Sequence, residues 1–339
     1  MRVLAVVPGP SGSGVVRHGL AIAAALADAG SEVTVVRSSD EVCGASHDLT
    51  SVQFTDALFG ADVASATQAF LAWSSTVPRP LVVTLHDVPG ADQDAARDAR
   101  RLAAYRRVAA VCDGVLVCSK REGQTLESSG VEVTVIPLPV LPLGAPGPVP
   151  DWGSRPSLGV LGFVYPGKGH AEAIEAAAAL RSVARPAVHV VALGGASPGS
   201  ARLVTELHDR AADLQVPFRV TGTLSDADLH AAALATTVPL AAYRTLGASG
   251  SLATWLACGR RPVVTVGPQA REAEARWPGS VLRAAPTGLV PALAAALEDP
   301  SSTWLPEPLP TGPVAEQHLA AFASVLAQTT RARPASATR

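Results

Sequence analysis

Short apolar runs alternate with segments of helical character along almost the whole chain. Runs such as Val3–Val7, Leu81–Leu85 and Val115–Cys118 are apolar at nearly every position, which is typical of strands buried on both faces. Longer stretches between the runs, such as 14–29 and 95–110, favour helices. The alternation predicts an α/β chain with doubly wound parallel sheets that are covered by helices on each side.

A proline-rich segment divides this alternation into two series. Seven prolines lie from Pro137 to Pro156, and such a segment forms a stiff connector between domains. A chain of 339 residues is long enough for two cores. We therefore predict one Rossmann-like domain over 1–145, a second over 146–312, and a terminal helix over 313–330 that returns to the first. A ligand cleft is expected at the carboxyl ends of both sheets.

The stretch Arg244–Val266 joins a polar glycine loop to an apolar helix. Ser249, Gly250 and Ser251 precede the apolar part, and small residues there leave the first helical N–H groups open to an anion. Acidic residues are missing from 229–271, whereas four arginines occur in the region, namely Arg244, Arg260, Arg261 and Arg271. The pattern predicts a phosphate site. The alternative is a serine-capped helix packed in an α/β domain.

A second glycine loop follows the first predicted strand. Gly12, Ser13 and Gly14 add little bulk at a helix start, so a diphosphate could come close to the backbone. The spacing from Gly9 is G-x-x-G-x-G, which differs from the G-x-G-x-x-G of dinucleotide-binding folds. A dehydrogenase is therefore only a distant alternative.

Polar side chains follow two apolar runs of the first series. Gln53, Thr55 and Asp56 lie at one predicted strand end, and His86 with Asp87 lies at another. Side chains at carboxyl strand ends face the expected cleft and could bind sugar hydroxyls. Two alternatives stay open: Asp56 caps the next helix, and His86 is structural.

Composition narrows the class of protein. The net charge is −2 and 17% of residues are charged, so we expect no nucleic-acid partner and at most peripheral membrane contact. No apolar run has the length of a membrane span or a signal peptide, which predicts a cytoplasmic protein. The four cysteines lack metal-ligand spacing and are interpreted as reduced core residues.

Lys168, one of two lysines, precedes a predicted helix and suits a diphosphate.

These features together resemble one family, the retaining family-4 (GT4) glycosyltransferases of the GT-B fold. The resemblance is carried in order by GSGVVRHGLAIAAALADAG, LVVTLHDVP, VLVCSKREG, VTVIPLPV, GFVYPGKGHAEAIEA and LACGRRPVV. It implies transfer of a hexose-type sugar from a UDP- or GDP-sugar to a hydroxyl of a small-molecule, glycan or lipid-linked acceptor. It also implies that no metal and no cofactor other than the nucleotide-sugar co-substrate is needed.

The resemblance also implies a set of site residues. The catalytic group would be His86 beside the reacting sugar, with Lys168 and Arg244 on the leaving diphosphate. From their place at the predicted strand ends, and not from the resemblance, we expect the acceptor to contact Gln53, Thr55, Asp56 and Asp87. The donor-binding residues would be Gly12, Ser13, Gly14, Gly162, Phe163, Lys168, Gly222, Thr223, Leu224, Arg244, Ser249, Gly250, Ser251 and Leu252.

The chain departs from the family pattern at three positions. Leu246 and Thr254 stand where the family has two glutamates, which contact the donor sugar and the ribose, and Phe163 stands where it has an arginine. Arg244 is the nearest replacement for that arginine by charge and position. The missing glutamates keep open a second hypothesis, a catalytically silent GT-B protein that acts as a binding or partner subunit.

Overall fold

The structure, a computed structural model, describes residues 1–10, 12–38, 46–90, 94–181, 187–242, 248–284 and 288–332. The chain forms two compact units: Met1–Pro139 together with Gly312–Arg339 (the first unit), and Val140–Thr311 (the second unit). The division falls inside the proline-rich segment.

The first unit contains a six-stranded parallel sheet with strand order β2-β1-β3-β4-β5-β6. Its strands are β1 Arg2–Val6, β2 Glu32–Val36, β3 Leu49–Phe54, β4 Leu81–Leu85, β5 Gly114–Val117 and β6 Thr134–Val135. Its helices up to the connector are α1 Gly14–Asp28, α2 Asp56–Phe59, α3 Val63–Ser74, α4 Ala95–Ala110 and α5 Lys120–Glu127. Because the order reverses beside β1, the loops after β1 and β3 flank a topological switch point.

The second unit repeats this architecture with the order β12-β11-β10-β7-β8-β9, again all parallel. Its strands are β7 Ser157–Leu161, β8 His189–Leu193, β9 Phe218–Val220, β10 Val238–Ala241, β11 Val263–Thr265 and β12 Leu282–Ala284. Its helices are α6 His170–Leu180, α7 Ala201–Asp213, α8 Asp226–Ala235, α9 Gly250–Ala257, α10 Pro268–Arg276 and α11 Leu289–Glu298, followed by a 3-10 helix, Pro300–Thr303. The prediction of two doubly wound parallel sheets is confirmed.

The central strands are buried on both faces because helices cover each side. Every residue of β4 and of β7 is buried, as expected for apolar runs without polar alternation. Helix α6 packs on one face of the second sheet, where Ile174 and Leu180 are fully buried. The loops at the carboxyl ends of the strands are thus held on a rigid support.

The terminal helix α12, Val314–Ala332, completes the first unit. It packs against α1, and its Phe322 is fully buried in a cluster with Ile22, Leu26 and Leu116. The first sheet is therefore covered on one face by residues from both ends of the chain. No helix among the described residues combines the length and the apolar character that crossing a membrane requires.

Candidate functional site

A buried lysine lies at the carboxyl edge of the second sheet. The Nζ atom of Lys168 donates to the hydroxyl oxygen of Ser251 at 2.8 Å, and the residue is only 5% exposed. Gly162, directly after β7, has a φ of +107°, and a Cβ atom there would lie 2.7 Å from Ser251 Oγ and 3.2 Å from Lys168 Nζ. Only glycine fits this position without displacing one of the two side chains. The loop and the helix that follows β10 therefore meet around the lysine.

Helix α9 presents an accessible N-terminus beside that lysine. The Ser249 side chain accepts from the backbone N–H of Leu252 at 3.2 Å, which is an N-cap. A Cβ atom on Gly250 would meet nothing within 4 Å, so the first turn is open. Helix α9 can thus be capped by Ser249 and still offer its N-terminus to a phosphate. Arg244, Leu246 and the first glycine of this loop, Gly247, lie outside the described residues.

Two more loops of the second unit reach the same edge. A Cβ atom on Gly194, after β8, would lie 2.2 Å from the carbonyl oxygen of Gly162, so these backbones are in contact. A Cβ atom added to Gly195 would in turn lie 3.6 Å from the backbone nitrogen of Thr223. The structure therefore brings Gly162 into one loop cluster with Gly222 and Thr223, and Phe163 and Leu224 are their neighbours in the chain.

The expectation for Arg260 is wrong. This arginine is fully buried, and its guanidinium donates to the carbonyl oxygens of Ala233 and Thr237 at 2.8 and 3.0 Å and stacks on Trp304. Burial lowers its pKa to about 10. Arg261 likewise donates to a backbone carbonyl, at Ser302. These side chains hold helix ends and loops together through backbone carbonyl oxygens.

A cavity of about 230 Å³ lies beside the lysine loop, lined by residues 165–172 together with Leu203 and Leu207. It is smaller than the sites that enclose drug-sized ligands, about 300–1,000 Å³, so it could hold only part of a nucleotide-sugar. His170 borders it, and neither ring nitrogen has a hydrogen-bond partner within the described part of the chain. Burial and the charge of Lys168 lower the pKa of His170 to about 3, so its ring is neutral.

In the first unit, helix α1 starts from the first glycine loop. Ser13 occupies the N-cap position without a side-chain cap bond. An added Cβ atom on Gly14 would meet nothing within 4 Å, and Gly12 is exposed. The space around this helix start is open, and contact with an anionic ligand there stays a prediction.

The polar residues after β3 and β4 form one cluster. Arg101 donates to both carboxylate oxygens of Asp56, at 3.0 and 3.1 Å, and Thr55 donates to Asp87 at 3.1 Å. Burial alone would raise the pKa of Asp56, but Arg101 outweighs it and holds that pKa below its usual value. Thr55, rather than Asp56, is the N-cap residue of α2. Sequence reasoning missed Arg101 because α4 reads simply as an arginine-rich helix.

His86 and Gln53 lie side by side at these strand ends and are both buried. The His86 Nε2 atom is 2.8 Å from Gln53 Oε1, and its Nδ1 atom is 3.9 Å from the sulfur of Cys118. Both ring nitrogens thus face neighbours inside the first unit. Burial lowers the pKa of His86 to about 4, so the ring is neutral near pH 7.

No protein-family model and no curated protein sequence matches the chain. Solved structures do match. HepE from Anabaena, in complex with UDP and glucose, is 16% identical with a TM-score of 0.64, over 98% of this chain and 99% of that one. Sucrose-phosphate synthase from Thermosynechococcus elongatus is 16% identical with a TM-score of 0.65, over 98% of each chain. A UDP-forming α,α-trehalose-phosphate synthase from Burkholderia xenovorans is 15% identical with a TM-score of 0.56, over 84% and 72%. With the two parallel sheets, these likenesses confirm the predicted GT-B fold.

Proposed function

We propose that this GT-B chain is a glycosyltransferase that moves a hexose-type sugar from a UDP- or GDP-sugar to an acceptor hydroxyl. The transfer retains the anomeric configuration and needs no metal, as the family resemblance implies. UDP-glucose is the first donor to test, and UDP the first nucleotide, because HepE has been solved with UDP and with UDP-glucose.

The observation that carries this proposal is the buried Lys168. It lies in the loop before α6 and contacts Ser251 in the first turn of α9. Its ammonium group is fixed on Ser251 and lies over the side-chain-free Gly162. A diphosphate oxygen could accept from the lysine, from the serine hydroxyl and from the open N–H groups of the helix. The convergence of a cation, a helix N-terminus and a bare backbone suits a diphosphate better than a neutral ligand.

The same groups would serve the reaction. As the bond between the anomeric carbon and the diphosphate breaks, negative charge grows on the leaving oxygen. Lys168 and the helix N-terminus would stabilise that charge where it develops. The departing phosphate can accept the proton of the acceptor hydroxyl, so no carboxylate pair is required. Arg244 remains part of the proposal as a second cation on the diphosphate.

We propose the polar cluster of the first unit for the acceptor. Asp87 is exposed and holds Thr55, so its carboxylate could accept from a sugar hydroxyl. Asp56 is committed to Arg101 and would act by keeping the cluster in place. His86 beside the reacting sugar remains part of the proposal, with its Nε2 atom 2.8 Å from Gln53 Oε1.

The test is nucleotide binding by calorimetry. Lys168→Ala should weaken UDP binding by about 10- to 100-fold, because a charge-assisted hydrogen bond is worth about 1.5–3 kcal/mol. Lys120→Ala is the matched control, since it removes the other lysine, which is exposed at the start of α5 in the first unit. Equal affinity of wild type and Lys168→Ala for both UDP and GDP would refute the site.

Turnover is tested separately with a panel of nucleotide-sugars. Release of UDP or GDP in the presence of sugar acceptors, a rate unchanged by added Mg²⁺, and a product with the donor's anomeric configuration are expected. An inverted product would contradict retention, and a rate that depends on Mg²⁺ would contradict metal independence.

A second candidate is a binding protein without turnover. Thr254 stands where the family has a glutamate, and its hydroxyl donates to the carbonyl oxygen of Gly250 at 2.8 Å, within its own helix. A side chain that is bonded to its own backbone is not offered to a ribose. Absence of donor binding, and of sugar release from any donor of the panel, in the folded wild type would favour this candidate.

A further inference from the structure

Three side chains with metal-binding atoms converge inside the first unit. His18 comes from the second turn of α1, His86 follows β4, and Cys118 follows β5. They are 5%, 7% and 4% exposed. The Cys118 sulfur is 3.7 Å from His18 Nε2 and 3.9 Å from His86 Nδ1, and all three donor atoms lie within 4.8 Å of one another.

The hydrogen bond between His86 and Gln53 determines which ring nitrogen of His86 has a lone pair toward the Cys118 sulfur. Gln53 Oε1 can only accept, so the His86 Nε2 atom carries the proton and donates across the 2.8 Å separation. The Nδ1 atom of the neutral ring is then unprotonated and faces Cys118. A histidine that binds a metal through one nitrogen commonly donates from the other to an oxygen in this way.

The separations lie in the range of S–H···N hydrogen bonds and are also close to those between two ligands of one metal ion. Bonds of about 2.3 Å from Zn²⁺ to sulfur and about 2.0–2.1 Å to nitrogen place sulfur and nitrogen about 3.8 Å apart at a 120° angle, and about 3.5 Å at the tetrahedral angle. The observed 3.7 and 3.9 Å bracket the first value. A carboxylate is also close, because Glu122 Oε2 accepts from the backbone N–H of Cys118 at 3.2 Å. Its negative charge favours a divalent cation there.

We propose that His18 Nε2, His86 Nδ1 and Cys118 Sγ form a binding site for a transition-metal ion of the Zn²⁺ type. Two imidazoles and a thiolate select such an ion over Mg²⁺ or Ca²⁺, which prefer oxygen. On binding, the Cys118 thiol gives its proton to solvent and its sulfur bonds the metal. The ion cross-links α1, β4 and β5 of the first unit, and it supplies no step of the proposed transfer.

The site is tested on the full chain after treatment with a chelator. Zn²⁺ should bind one ion per chain and raise the melting temperature, and Co²⁺ should give the near-ultraviolet charge-transfer absorption of a cobalt–thiolate bond. Cys118→Ser and His18→Gln should each weaken Zn²⁺ binding by more than about 100-fold. Gln53→Ala, which removes only the acceptor of His86, should weaken it by about 10- to 100-fold.

Cys112→Ser is the matched control, since it removes a half-buried thiol of the same unit, and it should bind Zn²⁺ as the wild type does. Circular dichroism establishes that each variant is folded. Three results would overturn the site: no stoichiometric binding of Zn²⁺ or Co²⁺ by the wild type, bound Co²⁺ without thiolate absorption, or unchanged affinity in folded Cys118→Ser or His18→Gln. If both variants fail to fold, the wild-type Co²⁺ spectrum decides alone. UDP takes no part in these measurements.

Discussion

Replacing Gly162 by alanine tests how the second unit holds its buried lysine. A Cβ atom at this position would lie 2.7 Å from Ser251 Oγ and 3.2 Å from Lys168 Nζ. One of the two side chains must move, and their 2.8 Å hydrogen bond should break or tilt. The backbone φ of +107° adds strain, because an L side chain rarely adopts it.

The expected effects on stability and on binding differ in size. Left-handed backbone strain costs about 1–2 kcal/mol, so Gly162→Ala should unfold at slightly lower denaturant. Displacement of the lysine from its place should cost about 1.5–3 kcal/mol of UDP binding, which is about 10- to 100-fold in affinity. Gly279→Ala is the control for strain alone: its φ is +76° and an added Cβ atom meets nothing within 4 Å.

The assay pairs calorimetry of UDP binding with denaturant unfolding for both variants. We expect similar losses of stability, with weakened UDP binding only in Gly162→Ala. If Gly162→Ala binds UDP as tightly as the wild type, the close approach of the lysine and serine to this glycine has no role in binding. Equal weakening in both variants would instead mean that backbone strain alone affects the site.

Three other changes test the site, the pH response and the terminal helix. Gly250→Val should keep the fold, because its surroundings are open, and lose UDP binding in calorimetry; unchanged affinity would make α9 only a packed helix. In chelator-treated protein, the free energy of unfolding should fall as the pH drops from 6.5 to about 4. In this range the unfolded chain binds a proton at His86, whereas the buried ring, with its pKa of about 4, does not. The loss in the free energy of unfolding is about 3 kcal/mol. Denaturant unfolding of His86→Gln should show a correspondingly shallower pH dependence, and equal slopes would contradict the assignment. Phe322→Ala should lose about 3–5 kcal/mol of stability in the same assay, whereas Ser324→Ala, on the exposed face of α12, should lose almost none; equal losses would contradict the packing of Phe322.

The sequence predicts most of the sheet strands because burial on both faces leaves an unbroken apolar run. Leu81–Leu85 coincides with the observed strand β4, in which every residue is buried. Lys168 and the start of α9 were also predictable, since each lies in a local glycine-bearing pattern. Helix α3, Val63–Ser74, escaped notice because its alternation of small and apolar residues is weak and its only clear signal is the capping Asp62.

Long-range pairing could not be predicted in the same way. Nothing near Cys118 in the sequence indicates a ligand, because His18 lies 100 residues away and the two meet only when α1 packs on the sheet. The burial of Arg260 is equally hidden: its four carbonyl partners include Thr303, 43 residues further on. The sequence does not distinguish an arginine that binds a ligand from one that is buried as a hydrogen-bond donor, and only the folded structure does.

The return of α12 to the first unit sets an order for synthesis. A ribosome completes Val140–Thr311 before it makes the helix that covers Ile22, Leu26 and Leu116. The second unit can therefore fold while the first still exposes part of its apolar surface to water. Until Phe322 leaves the exit tunnel, the nascent first unit keeps apolar side chains in water, as incompletely folded chains do, even though its own strands were the first to be translated.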